Sequence, residues 1–235
     1  MGSTGKAKVV SGSDDSLKNK PTSDTDKYTD FNSPTGAEKW FANPKLSNSE
    51  DWHNNQLTGD EEWALRNYTG SGYDKLNSEL YETPWDKLDS TIKEKASNIY
   101  EALNKFELNH GISVDRATST LPFGKSGMTA DEVREAILQN PVRQHNGFMS
   151  FSTDKGGHGV EKSDIVVTLK IPPSTGAGAW VKPLSGVKGE NEFLVNSNAV
   201  IRYDPKSVTE KYGKIYVTGY WLGQGSDQVF DNKKK

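Results

Sequence analysis

The apolar residues of this chain follow a helical period in its first half and a strand period in most of its second, and that ordering restricts the folds open to it. Thr58 with Glu61 reads as a capping box ahead of Trp63-Ala64-Leu65. Thr83-Pro84 reads as the start of a longer helix, in which Leu88, Ile92, Ile99 and Leu103 follow at steps of four, seven and four, ending near Asn109-His110-Gly111. A second capping box, Thr129 with Glu132, opens a helix carrying Val133 and Ile137. The stretches 112–119, 147–152, 164–171, 179–182, 190–195, 199–203 and 214–221 are short, rich in β-branched or aromatic residues, and separated by Gly, Pro, Asn and Ser. Helices first and strands afterwards predict an α+β domain, with N-terminal helices packed on a β core, and argue against alternating βαβ units.

Composition sets the outer limits. Residues 11–30 are Ser/Thr/Asp/Lys-rich and nearly devoid of large apolar side chains, so residues 1–30 are expected to form a flexible leader, 31–222 a single domain and 223–235 a polar tail. No internal repeat divides the 235 residues, which leaves no room for a duplicated enzyme. A formal net charge of −3, with Lys and Arg spread along the chain, offers no general attraction to nucleic acid. There is no cysteine for a disulfide framework or a thiolate zinc site, and His53, His110, His145 and His158 lack metal-ligand spacing, so no metal is expected. Neither a run of ~20 apolar residues nor a signal-peptide core occurs, so no stable membrane association is expected, and the protein is expected to be a monomer. Phe123-Gly124-Lys125-Ser126-Gly127 contains Gly-Lys-Ser without the preceding glycine of a phosphate loop, and reads as a turn before Thr129.

The chemistry concentrates in three places. In Glu190-Asn191-Glu192 an extended backbone sends both carboxylates to one face, so that two acids share one site. Arg116 sits in a strand-like stretch, where its planar fork suits a phosphate group. Between them lies Ser150-Phe151-Ser152, two hydroxyls on alternate positions of another predicted strand.

Arginine, serine-rich strand and Glu-x-Glu, in that order, resemble the mono-ADP-ribosyltransferase toxins of the Arg/Ser-Thr-Ser/Glu-x-Glu class. The likeness extends beyond the motifs. The segment 57–77, from Leu57-Thr58 through Glu61, Ala64-Leu65 and Tyr68-Thr69 to Tyr73 and Asn77, is similar to the opening of the catalytic domain in clostridial C3-like exoenzymes and actin-modifying binary toxins. Val114-Asp115-Arg116-Ala117 stands at that family's strand arginine, and Phe148-Met149-Ser150-Phe151-Ser152 resembles its serine strand, with Phe151 in place of the middle threonine. Pro183 to Leu194 resembles its loop and catalytic strand.

The resemblance implies an ADP-ribosyltransferase fold with a two-sheet core, and an enzyme that uses NAD as co-substrate. It implies Glu192 beside the ribose, Ser150 orienting it, Glu190 at the incoming nucleophile, and Arg116 on the pyrophosphate. Tyr68, Tyr73, Asn77, Ala117 and Ser152 are its further cofactor contacts. A glutamate at 190 is associated in the family with arginine as acceptor, which makes actin the first candidate among host proteins. A C3-like enzyme acting on a Rho-type GTPase is the rival, although those enzymes carry glutamine at that position. A catalytically silent homologue serving as a binding module is the rival from another class. The family is secreted or injected and acts in a target cell's cytosol. Two departures stand out. Val187 replaces the usual aromatic three positions before the first glutamate, and the loop 153–159 lacks the Phe and Arg that relatives aim at nicotinamide and phosphate.

Overall fold

The computed structural model describes residues 8–9, 27–157, 160–187 and 189–225; most of the expected leader, the tail from 226, and His158, Gly159 and Lys188 lie outside the described residues. Its strands are β1 (Lys8–Val9), β2 (Tyr28–Asp30), β3 (Glu107–Leu108), β4 (Gly111–Thr118), β5 (Val142–His145), β6 (Met149–Ser152) and β7 (Ile165–Ile171). They continue as β8 (Ser174–Thr175), β9 (Gly178–Trp180), β10 (Glu192–Val195), β11 (Ala199–Tyr203), β12 (Thr209–Lys211) and β13 (Lys214–Gln224). The longer helices are α1 (Pro34–Phe41), α2 (Gly59–Asn67), α3 (Tyr73–Glu82), α4 (Ser90–Asn104) and α5 (Ala130–Gln139). Four of them precede the main run of strands, and the α+β arrangement expected from the change of period is the one observed. No helix of the described residues is long and apolar enough to cross a membrane.

The main sheet runs in the order β1-β5-β11-β13-β7-β4-β6-β10-β9, with β12 on β13 and β2 on β4, while β3 and β8 pair separately. Strand β4 lies antiparallel to β7 from Ile112↔Ile171 to Thr118↔Ile165. It meets β6 at a single register pair, Asp115 opposite Ser152. The sheet is therefore two halves joined at that pair, which is the two-sheet core anticipated. Residues of β4 and β6 beside this junction line the site described below.

Helix α1 closes one end of this core. Ser33 caps it by accepting from Gly36 N at 3.0 Å, Pro34 occupies the first turn, and Phe41 stacks on Trp180 of β9 with ring centroids 4.9 Å apart. Phe106 and Phe193 extend the same aromatic cluster towards β10. Burying such rings contributes on the order of 3 kcal/mol each, and here it fixes the strand that bears Glu192.

Several boundaries differ from the sequence reading. Pro84 does not open the long helix: Trp85–Lys87 form a separate 3₁₀ turn, Leu88 is extended, and Asp89 caps α4 by accepting from Thr91 N at 2.9 Å. Both Pro84 and Asp89 are good helix starts, and only the cap hydrogen bond chooses between them. Helix α4 stops at Asn104, because Phe106 turns into the core and Glu107 N donates to Asn48 Oδ1 at 2.8 Å. Strand β6 starts at Met149 because Phe148 N and O are both bound by the Asn77 side chain. Strand β13 continues to Gln224. On the N-terminal side, Tyr28–Asp30 pair with β4, Phe31 is buried against Trp40 and Phe41, and Lys8–Val9 pair with β5. Helix α1, strand β5 and, apart from β9, the two- and three-residue strands were too short to show a period.

Candidate active site

A cleft of about 270 Å³ opens where β4, β6 and β10 converge under the turn between α2 and α3. All nine side chains singled out from the sequence line it: Tyr68, Tyr73, Asn77, Arg116, Ala117, Ser150, Ser152, Glu190 and Glu192. Thr69, Asp115 and Phe151 complete the wall. They come from four stretches of chain that lie far apart in sequence.

Helix α2 begins at the Thr58–Glu61 capping box and ends in a π-type turn, Tyr68–Gly72, from which α3 departs. Such wide turns displace the helix register and recur at functional sites; here the turn aims Tyr68, Thr69 and Tyr73 at the cleft. Tyr68 is buried, and burial pushes its phenol above the ordinary range, so it remains neutral. Asn77 donates to Tyr68 Oη at 2.9 Å and to Phe148 O at 3.1 Å, and accepts from Phe148 N at 3.0 Å. Its amide is thus engaged on both sides, and it fixes the entry to β6 as well as lining the cleft.

Across the floor, Arg116 Nη1 donates to Ser150 O at 3.2 Å and makes no ion pair among the described residues. A guanidinium held by a carbonyl keeps its charge available to an anion. Behind it a small pocket is walled by Tyr81, His145 and Tyr203. Burial first, then the positive charges of Arg116 and Arg143, hold His145 down at about 3, and its Nε2 lies 2.9 Å from Tyr203 Oη. That imidazole is neutral and supplies no second cation.

Glu192 opens β10 directly opposite Ser152, while Glu190 lies two residues earlier, outside the strand and just after Gly189. The expectation of both glutamates on one strand is corrected here: Gly189 turns with φ +94°, and the ladder starts only at Glu192. Both carboxylates nevertheless face the cleft. Glu192 is buried, and desolvation pushes its carboxyl up to about 7. The Ser150 hydroxyl, hydrogen-bonded to it, opposes that rise, the nearby Glu190 adds to it, and Arg116 opposes it.

Asp115 was missed by the sequence reading. Its Oδ1 accepts from Thr168 Oγ1 and its Oδ2 from Gly156 N, both at 2.7 Å, so it ties the loop after β6 to the floor of the site. Gly157 follows at φ +73°, where a Cβ would lie 2.8 Å from Ala117 N. The only signal available was a carboxylate adjacent to a strand arginine, and such residues are common on surfaces. Lys155 of the same loop pairs with Asp30 of β2.

The family model for the ADP-ribosyltransferase exoenzyme matches residues 43–220. The NAD(+)--arginine ADP-ribosyltransferase EFV of Enterococcus faecalis (strain ATCC 700802 / V583) is 26% identical over 138 residues, covering 57% of this chain and 26% of that protein, so the match spans about a quarter of its length. Among solved structures, the C3 exoenzyme of Clostridium limosum superposes with a TM-score of 0.67 at 17% identity, over 83% of this chain and 98% of that one. A C3 protein from S. aureus, solved with NAD, gives a TM-score of 0.68 at 17% identity, over 84% of this chain and 100% of that one.

Proposed function

Because this chain belongs to the ADP-ribosyltransferase exoenzyme family, whose co-substrate is NAD, we propose that it transfers ADP-ribose from NAD to an arginine of a host protein and releases nicotinamide. The observation that carries this reading is the second carboxylate: Glu190 faces the same cleft as the buried Glu192, with Arg116 on the floor and in no ion pair among the described residues. A single domain, its main sheet ending at Gln224, carries the site.

The reaction breaks the bond between the ribose anomeric carbon and the nicotinamide nitrogen, whose electron pair leaves with nicotinamide. Positive charge then develops on the sugar as an oxocarbenium ion. An ionised Glu192 stabilises it, as a carboxylate does in glycoside hydrolysis. The Ser150 hydroxyl orients that carboxylate, and Arg116 grips the pyrophosphate with its fork. Tyr68, Tyr73, Ala117 and Ser152 bound the space for the rest of the dinucleotide, and Asn77 holds the strand against it.

A guanidinium is almost always protonated and therefore a poor nucleophile. Glu190 holds the acceptor and takes its proton as the new carbon–nitrogen bond forms. Water needs no such help, so hydrolysis of NAD is the side reaction that Glu192 alone supports. The acceptor class follows from Glu190; actin is the host protein we assign first, reached after secretion or injection into a target cell. The test is to incubate the protein with NAD and agmatine, then with labelled NAD and a eukaryotic lysate, and to map the modified residue by mass spectrometry. Labelling of asparagine in a Rho-type GTPase would select the C3-like reading, and absence of nicotinamide release a silent binding module.

A further inference from the structure

The residue between the two glutamates is fully buried and absent from the cleft wall, yet its side chain reaches two other segments that border the site. Asn191 Oδ1 accepts from Lys182 Nζ at 2.7 Å, and Asn191 Nδ2 donates to both carboxylate oxygens of Asp154 at 3.4 Å. Lys182 opens the loop that leads to Glu190 and is also ion-paired with Glu38 of α1. Asp154 lies in the loop after β6, where its main-chain N donates to Ser152 Oγ at 3.0 Å. One amide therefore ties together the approach to Glu190, the helix behind it and the loop on the cofactor side.

The two glutamates depend on this tie unequally. Glu192 is held from both sides of β10, opposite Ser152 on β6 and through its carbonyl, which accepts from Val181 N at 3.1 Å. Glu190 belongs to no strand and follows a glycine at φ +94°. Its nearest fixed point is Asn191, whose carbonyl accepts from Thr153 N at 2.9 Å and whose side chain is gripped by Lys182 and Asp154. The bond from charged Lys182 at 2.7 Å is of the strong kind, the two Asp154 contacts at 3.4 Å are longer and weaker, and a nucleophile-holding group displaced by ~1 Å loses on the order of 100-fold in rate.

We infer that Asn191, clamped between Lys182 and Asp154, is the positioning residue that sets Glu190 for the acceptor, with Glu192 largely independent of it. This inference rests on the assignment of Glu190 to arginine transfer.

Two substitutions break the clamp differently. Asn191→Leu removes both contacts at similar volume. Asn191→Asp keeps the acceptor for Lys182, loses the donor to Asp154 and sets two carboxylates against each other. Adding Asp154→Asn to Asn191→Asp restores a donor and an acceptor in the reversed sense, with the net charge of the wild type. Steady-state rates with NAD, with and without agmatine, are measured on each protein. Either single variant is expected to lose at least tenfold in arginine transfer while NAD hydrolysis stays within threefold, and the swap to recover transfer to within threefold of wild type. Equal losses in both reactions, unchanged transfer, or a swap that recovers nothing would overturn the inference. Hydrogen exchange supplies a readout that needs no acceptor: the amide of Thr153, which donates to Asn191 O, is expected to exchange at least tenfold faster in Asn191→Leu, with Phe193 and Leu194 unchanged. If wild-type protein hydrolyses NAD but modifies no arginine, the acceptor reading fails. Exchange then decides the clamp alone, with unchanged protection at Thr153 counting against it.

Discussion

Asp115 and Ser152 form the one register pair that joins the two halves of the sheet, and the cleft opens beside it. Arg116 follows the first of these residues, and Glu192 stands across the ladder from the second. Arg116 and the buried carboxylate of Glu192 are thereby fixed relative to each other by backbone pairing.

Replacing Glu192 with Gln is expected to lower both arginine transfer and NAD hydrolysis by ~10²–10³-fold, since it removes the charge facing the oxocarbenium ion. Nicotinamide release in steady state measures this. Turnover near that of the wild type would remove Glu192 from the mechanism.

Glu190→Gln is expected to separate the two reactions, with transfer to agmatine falling at least tenfold more than hydrolysis. A folding defect lowers both equally, so the ratio of rates isolates the role of the acceptor carboxylate.

For Arg116, substitution by Ala is expected to weaken NAD binding by roughly 10- to 100-fold, the range for losing hydrogen bonds to a charged group. Arg116→Lys should also bind weakly, because the charge survives while the bidentate fork is lost. Calorimetric titration with NAD reads both.

The raised Glu192 pKa has two consequences of opposite sense. Catalysis needs the carboxylate, so kcat/KM for NAD hydrolysis should rise with pH through an acid limb near 7, the free-protein value. Stability runs the other way: the folded pKa lies above the unfolded one, so the contribution is complete below the ordinary value of 4.5 and is lost as pH rises to about 7. The loss amounts to about 3 kcal/mol at most. Glu192→Gln, which cannot ionise, should therefore match wild type in Tm near pH 4.5 and exceed it above pH 7. A Tm difference that does not depend on pH would show that Glu192 titrates normally.

Truncation tests where the domain begins. Removing residues 1–26 takes away two edge-ladder positions from β5 and is expected to leave Tm within a few degrees. Removing residues 1–31 also deletes β2 and Phe31, which packs on Trp40 and Phe41, and losing such a ring costs about 3–5 kcal/mol. Thermal unfolding followed by circular dichroism distinguishes the two.

Much of the site was legible in the chain because its parts are local patterns. The Thr58 and Thr129 capping boxes formed where four consecutive residues specified them, and Tyr73 and Asn77 share a helix face because they are four apart. The resemblance then named side chains that the fold brings into one cleft. What the chain could not specify depends on residues distant from it in sequence. Pro84 and Asp89 both suit a helix start, and only the surroundings of α4 decide for Asp89. Tyr28–Asp30 and Val142–His145 are too short to carry a period and become strands because a neighbouring ladder receives them. Asp115 gained its role from Gly156 on a loop some forty residues away, and Asn191 from Lys182 and Asp154 on two different loops. Sequence determined which groups could do the chemistry, through spacing that acts over a few residues. Tertiary structure decided which were buried, which were paired and which carboxylate was pushed towards neutrality, because desolvation and long-range hydrogen bonds exist only once the two halves of the sheet have met.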